Sequence, residues 1–419
     1  MQRFVVKGGK PLMGEYRVKA AKNSVLPIMA AAVLSNQEII IENVPNLVDI
    51  QNMSDIIKSI GGTAEYTGAS LRLNCTNASP RLIESNLTGV LRSSIFLLGP
   101  ILSRFKSVKI GLPGGCAIGA RPIDLHIAGL KQMGVFVTQE DGFIACDGKN
   151  MKGGTVNLTF PSVGATENLM MAAVFAKGTT VIHGAAQEPE IVDLQNFINF
   201  LGGRISGAGS SVVTVEGTDK LSGGGAYRPF GDRIAASTFL AAAAATGGRV
   251  TVNGIYAHHV SSVTDALIQS GCRVDTSANT ISLIAPETLK PLRIKTNPHP
   301  HFPTDMQPQL TAMLCLAQGE STVIENVFEN RFMYTAQLNK MGARIALSGN
   351  TAHITGVKML YAAQVAAEDL RGGAALVIAA LAAQGKSVIE NVLHIDRGYE
   401  SMEDALQALG ADIVRSTVP

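Results

Sequence analysis

Residues 167–206 read ENLMMAAVFAKGTTVIHGAAQEPEIVDLQNFINFLGGRIS and hold one complete structural unit. ENLMMAAVFAKG is apolar on nearly every face and rich in small side chains, a pattern that predicts a helix buried all round. Its closing glycine is an ordinary C-terminal stop. TTVIHGA then reads as a strand. AQEPEIVD follows as a charged loop, and LQNFINFLGG is an amphipathic helix ending at Gly202, where RIS opens the next strand.

The unit recurs. An apolar or small residue, a glycine and a strand appear as IGGTAEY at Gly61, MGVFVT at Gly134, LGGRIS at Gly202, SGCRVD at Gly271, MGARIA at Gly342 and LGADIV at Gly410. The spacing of about seventy residues marks six repeats. Each repeat holds one apolar helix: NSVLPIMAAAVL, RSSIFLLGPIL, ENLMMAAVFAKG, AASTFLAAAAATGG, QPQLTAMLCLAQG and GGAALVIAALAAQG. After each comes a strand: EIIIENV, SVKIGL, TTVIHGA, RVTVNGI, STVIENV and SVIENVL. Alternating helices and strands predict an α/β fold of two pseudo-symmetric halves, three repeats each, with the apolar helices inside and sheets around them. YRPFGD, Tyr227 to Asp232, reads as the crossover between halves. The strand RFVVKGG precedes the first buried helix, and its residues leave open which half it joins.

The chain has 419 residues, of which 46% are hydrophobic and 16% charged. Lys and Arg (35) nearly balance Asp and Glu (33), and the net charge of +2 leaves no basic stripe for nucleic acid. The longest apolar runs, VLPIMAAAVL and AALVIAALAA, are shorter than the about 20 residues that span a bilayer, so no membrane segment is expected. The N-terminus lacks the apolar stretch of a signal peptide. Five cysteines without a CxxC pair fit a reducing cytoplasm with neither disulfides nor a zinc site. His299 and His301 lie in NPHPHFPTD, where flanking prolines read as a rigid loop rather than a metal site.

With charge so scarce, its placement is informative. At the starts of the apolar helices stand Lys22 with Asn23, Arg92, Asp232 with Arg233, Asp305, and Asp369 with Arg371. The third helix opens with SVGATEN instead. Helix N-termini offer free N–H groups to anions, and added cations strengthen that offer. The loops after the strands carry Cys116 and Arg121, Glu188 and Glu190, Arg331, and Arg397. Lys22, Arg121, Arg331, Arg371 and Arg397 therefore predict a small, multiply anionic ligand, since arginine forks suit both phosphate and carboxylate. No Walker loop or GxGxxG setting is present. Cys116 stands in LPGGCAIGARPIDLHIAGL, residues 112–130, where glycine and proline mark a loop and Arg121 supplies a cation beside a thiol. Asp305, after Thr304 and before a helix, reads equally as an N-cap or as a catalytic carboxylate.

The segments AAKNSVLP, LRSSIFLLGP, LPGGCAIGARPIDLHI, SVGATEN, EPEIVD, HPHFPTDMQPQ, VFENRFM, EDLRGGAALV and HIDRGYES together resemble the UDP-N-acetylglucosamine 1-carboxyvinyltransferase family of enolpyruvyl transferases. The resemblance covers nearly the whole chain. It implies two inside-out α/β domains with the active site in the cleft between them. One domain is expected over residues 22–230 and the other over 1–21 with 231–419, so that the N-terminal strand joins the C-terminal half.

The implied reaction joins phosphoenolpyruvate to the 3′-hydroxyl of UDP-N-acetylglucosamine by addition and elimination, with phosphate leaving, at the start of peptidoglycan synthesis. It implies no cofactor and no metal. Asp305 matches the base. Cys116 matches the acid, on a loop that closes over substrate, and is the sulfur that forms a phosphoenolpyruvate adduct and is alkylated by fosfomycin. Lys22, Arg121 and Arg397 match phosphate-binding cations; Asn23, Arg331 and Arg371 complete the phosphoenolpyruvate set. Arg92, Arg121, Pro122, Ile123, Asp124, Leu125, Ser162, Val163, Gly164, Asp305 and Val327 match positions at the nucleotide sugar, with His126 lining the same pocket. Phe160 and Pro161 depart from members that carry a lysine before SVGAT, which puts a diphosphate contact there in question. The rival readings are 3-phosphoshikimate 1-carboxyvinyltransferase, which lacks a loop like PGGCAIGARP, and a non-catalytic repeat scaffold.

Overall fold

The apolar stretches form the expected helices. In the computed structural model, which describes residues 2–114 and 123–417, they span Lys22–Ala31, a 3-10 turn Arg92–Leu97 running into Leu98–Phe105, Val163–Ala173, Arg233–Ala245, Gln307–Leu314 and Leu370–Ala382. Ile234 to Ala244 is buried without a break, as is Arg371 to Leu381. A helix buried on every face has no solvent side, and alanine lets such helices approach closely while keeping high helix propensity.

The chain divides into two compact units, each with its own core. The described residues of the first are 20–114 and 123–230; those of the second are 2–19 and 231–417. In the first, Leu98–Phe105 packs on Val163–Ala173 so closely that a Cβ at Gly99 would lie 2.3 Å from the Asn168 carbonyl oxygen. The Gly99 N–H donates to Asn168 Oδ1 at 2.8 Å, so a side chain of the neighbouring helix satisfies an otherwise unpaired first-turn donor. In the second, Arg233–Ala245, Gln307–Leu314 and Leu370–Ala382 pack against one another. A buried polar knot stitches them together: Thr238 Oγ1 meets the Tyr399 hydroxyl at 2.8 Å, and Gln309 Nε2 donates to both at 3.2 Å.

Three sheets clothe the helices of each unit among the described residues. In the first they are Gly225–Tyr227, Glu38–Ile41, Ser70–Asn74, Thr63–Thr67; then Ser107–Gly111, Phe143–Asp147, Phe136–Glu140; then Arg204–Ser206, Val212–Glu216, Thr179–His183, Thr155–Asn157. In the second, the N-terminal strand Gln2–Lys7 lies between Lys386–Glu390 and Asp412–Thr417, antiparallel to both, with Phe4 opposite Ile389 on one side and Arg415 on the other. Met13–Arg17 pairs in parallel with Arg249–Asn253. The six repeat glycines all have positive φ, from 84° at Gly134 to 101° at Gly271, which places each at the left-handed stop after an amphipathic helix. Among the described residues, no helix is long and apolar enough to cross a membrane.

Candidate active site

In the second unit, a 3-10 turn Thr304–Met306 carries Asp305 to the start of Gln307–Leu314. The cap positions there are Pro303 and Met306, and neither makes a side-chain cap bond. Asp232 and Asp369 do cap their helices: Asp232 accepts from the N–H groups of Ile234 and Ala235, and Asp369 from those of Arg371 and Gly372. The Asp305 side chain is turned to two arginines. Arg331 Nη2 donates to Oδ1 at 2.6 Å and Arg371 Nη2 to Oδ2 at 3.1 Å. Charge-assisted bonds of this kind are about twice as strong as neutral ones.

Both arginines are nearly sealed from solvent, at 2% and 4% exposure. Burial alone lowers an arginine's pKa; here the Asp305 carboxylate outweighs it, with Tyr399 and Asp232 adding, and holds Arg371 above its ordinary value. Arg331 also donates to the Thr304 carbonyl, and Arg371 to the Tyr399 hydroxyl at 3.4 Å. Glu325 anchors the opposite wall. Its Oε1 accepts from the N–H groups of Val327 and Phe328, and its Oε2 from the Thr304 hydroxyl at 3.0 Å. Arg397 ends the short helix Leu393–Asp396 in the same unit, half-buried.

In the first unit, Lys22 opens the helix Lys22–Ala31, whose N-terminus no side chain caps. Its Nζ pairs with Asp49 Oδ2 at 3.1 Å, and Asp49 is buried in the first turn of Val48–Ser59. Asn23 follows, half-buried, and Arg92 starts its 3-10 turn half-buried. Asp124 and Leu125 begin the helix Asp124–Gln132; Ile123 and Leu125 pack on the core, while Asp124 is exposed.

His126, on that helix, is buried, and burial aided by the Arg92 charge pushes its pKa down to about 4. Its Nδ1 lies 2.8 Å from Asn168 Nδ2. The Gly99 bond fixes the Asn168 amide so that Nδ2 can only donate; Nδ1 therefore accepts and the neutral ring carries its proton on Nε2. Nε2 faces Gly164, 3.4 Å from a Cβ built there. Ser162 caps the helix Val163–Ala173 by accepting from the Ala165 N–H, so Ser162, Val163 and Gly164 form one helix start. Phe160, at the departure noted above, is exposed, and its carbonyl accepts from the Ser162 N–H. Cys116, Arg121 and Pro122 lie outside the described residues.

The structure thus gathers Asp305, Arg331 and Arg371 in one cluster, and His126, Ser162, Val163 and Gly164 in another. It adds three residues that sequence reasoning passed over. Asp49 had a signal: an acid in a helix whose other buried positions are mostly apolar, in a chain short of charge. Tyr399 sits in HIDRGYES with no assigned task, and Glu325 stands in STVIENV as an apparent strand end. Among the described residues no group of histidine, cysteine and acidic side chains could hold a metal ion.

A family model described as EPSP synthase (3-phosphoshikimate 1-carboxyvinyltransferase) matches residues 6–406. A UDP-N-acetylglucosamine 1-carboxyvinyltransferase 2 of Caldanaerobacter subterraneus subsp. tengcongensis is 46% identical over 416 residues, covering 99% of this chain and 100% of that protein. A UDP-N-acetylglucosamine 1-carboxyvinyltransferase 1 of Symbiobacterium thermophilum is 46% identical over 420 residues, covering 99% and 95%. Among solved structures, the enolpyruvyl transferase NikO from Streptomyces tendae aligns with a TM-score of 0.90 at 23% identity, covering 100% of this chain and 99% of that one. An EPSP synthase from Acinetobacter baumannii aligns over the whole of both chains with a TM-score of 0.78 at 18% identity. At these identities the two structures speak for the fold alone.

Proposed function

The chain belongs to the EPSP synthase family of enolpyruvyl transferases, and on that premise we propose that it transfers the enolpyruvyl group of phosphoenolpyruvate to the 3′-hydroxyl of UDP-N-acetylglucosamine. The observation that carries this acceptor is the 46% identity over 99% of the chain to proteins of that name. The product feeds peptidoglycan synthesis.

The chemistry divides among the residues as follows. In the addition, the sugar oxygen bonds to C2 of phosphoenolpyruvate, its proton passes to Asp305, and Cys116 delivers a proton to C3. In the elimination, C3 gives up a proton, the C2–O bond to phosphate breaks, and inorganic phosphate departs with the enolpyruvyl ether left on the sugar. Lys22, Arg121 and Arg397 balance the phosphate charge, and Arg331 and Arg371 hold Asp305 in a fixed orientation. A base must lie within hydrogen-bond reach of its proton, so fixing the carboxylate is part of the catalytic task. Arg92, the run from Arg121 to Leu125, Ser162 to Gly164, and Val327 receive the nucleotide sugar. The backbone N–H groups at the start of Val163–Ala173 suit its diphosphate without a lysine at position 160 or 161.

The test is phosphate release from phosphoenolpyruvate with each acceptor in turn. Release with UDP-N-acetylglucosamine and none with shikimate 3-phosphate is the expected result. The reverse would transfer the chain to the other branch of its family, and release with neither would leave the scaffold reading.

A further inference from the structure

Glu167 differs from the other buried acids of its unit. It lies three residues beyond Gly164 on the helix Val163–Ala173, is fully buried, and neither carboxyl oxygen has a hydrogen-bond partner. Asp49 has Lys22, and Asp193 has the Tyr227 hydroxyl at 2.6 Å and the Phe230 N–H at 2.8 Å. The groups that act on Glu167 are Glu190 and Glu188, both from the AQEPEIVD loop at the start of the helix Pro189–Phe200. Burial first, and then these two like charges, hold its pKa well above the carboxylate range. The loop is tied to the same helix by the Ala186 N–H, which donates to Thr166 Oγ1 at 3.0 Å.

An ionised carboxylate with no donor, facing two more carboxylates, is strongly unfavourable. The side chains here do not form a group able to hold a metal ion, so a bound metal does not relieve the repulsion. A proton does. A neutral carboxyl donates one hydrogen bond, and a neighbouring carboxylate accepts it. The other titratable or charged groups around this helix are His126, bonded to Asn168, then Arg92, which acts on His126, and Asp193, farther along the Glu188 helix.

We propose that Glu167 is a positioning residue for the nucleotide-sugar end of its helix, sharing a proton with Glu188 and Glu190 and so clamping the AQEPEIVD loop against the helix that begins with Ser162, Val163 and Gly164. The clamp follows from burial and charge; its effect on substrate rests on the proposed function. Glu167 touches no reacting atom. Its proton keeps three acids together at neutral pH, and losing it in alkali loosens the loop and the helix start.

The experiment compares the full chain with Glu167→Gln and Glu167→Ala. It measures KM and kcat for UDP-N-acetylglucosamine from about pH 6 to about pH 9, and thermal unfolding over the same range. Glutamine is nearly isosteric and always donates. It should match the parent at neutral pH and lack the parent's alkaline rise in KM. Alanine should raise KM about tenfold with kcat nearly unchanged, the scale of one lost buried hydrogen bond. Because the folded carboxyl holds its proton more tightly than the unfolded one, the parent loses stability relative to Glu167→Gln as pH rises. Equal losses for glutamine and alanine, or parallel pH profiles for parent and glutamine, overturn the proposal. A parent inactive with UDP-N-acetylglucosamine defeats the functional reading alone, since the unfolding comparison still decides the clamp.

Discussion

At the scale of single residues, the cysteines give the sharpest expectation. Cys75, Cys146, Cys272 and Cys315 are all buried and free. Burial pushes Cys75, Cys146 and Cys315 up to about 12 and raises Cys272, with the Arg104 charge only partly offsetting it at Cys75. The thiolate is the nucleophile, so all four should be inert near neutral pH. Fosfomycin should therefore label Cys116 alone, and Cys116→Ser should lose labelling and turnover together. Peptide mapping that finds the adduct on one of the four buried cysteines would refute this. Asp305→Asn should lower kcat by about 10²-fold or more, the usual scale for a positioned base, and weaken nucleotide binding far less; steady-state kinetics beside a binding isotherm separates the two. Near-normal turnover would leave Asp305 as an anchor for Arg331 and Arg371. The sequence displayed these residue types but not their pairing. Arg371 is 66 residues from Asp305 along the chain, and only packing of the buried helices brings them to one carboxylate. Asp49 was hidden for the same reason, since an amphipathic pattern does not say which polar side chain turns inward to meet Lys22.

At the scale of elements, the sixfold glycine was the most legible feature, because a left-handed helix stop strongly favours one residue type. The consequence is graded. A Cβ at Gly410 meets nothing within 4 Å, whereas at Gly61 it would lie 2.7 Å from the Asn77 carbonyl oxygen. Gly410→Ala should cost about 1–2 kcal/mol from backbone strain alone, and Gly61→Ala clearly more; denaturant unfolding of both measures the gap, and equal costs would mean that strain dominates everywhere. Three-residue edge strands such as Thr155–Asn157 and Gly225–Tyr227 were not legible, being too short to show a period and set by the neighbour they join in parallel. The crossover after Tyr227 has its own titration. Burial lifts Asp193 to about 6 even though the Tyr227 hydroxyl and Phe230 N–H pull it down. A raised carboxyl pKa favours folding below the ordinary carboxylate range, and that contribution is lost as pH rises toward about 6. Tyr227→Phe removes one of the lowering bonds and should shift the loss to higher pH in a melting series; an unchanged profile would show that the hydroxyl does not act on Asp193.

At the scale of the whole molecule, the two cores and their three sheets apiece follow from the six repeats, whereas the placement of the first strand did not follow from its own residues. RFVVKGG suits either half by pattern; in the structure it fills the middle of a sheet between Lys386–Glu390 and Asp412–Thr417. The Tyr16 ring, 3.9 Å from that of Phe239, ties the next strand to the same core. Deleting residues 1–7 should therefore strip amide-exchange protection from residues 386–417 while leaving 20–114 protected, and equal loss in both would contradict the independence of the cores. The central claim concerns the acceptor. Mass spectrometry of the nucleotide sugar after incubation with phosphoenolpyruvate tests it most directly. The account predicts that UDP-N-acetylglucosamine gains one enolpyruvyl group for each phosphate released, and that Asp305→Asn and Cys116→Ser largely abolish the gain. An unmodified nucleotide sugar alongside enolpyruvylated shikimate 3-phosphate would contradict it.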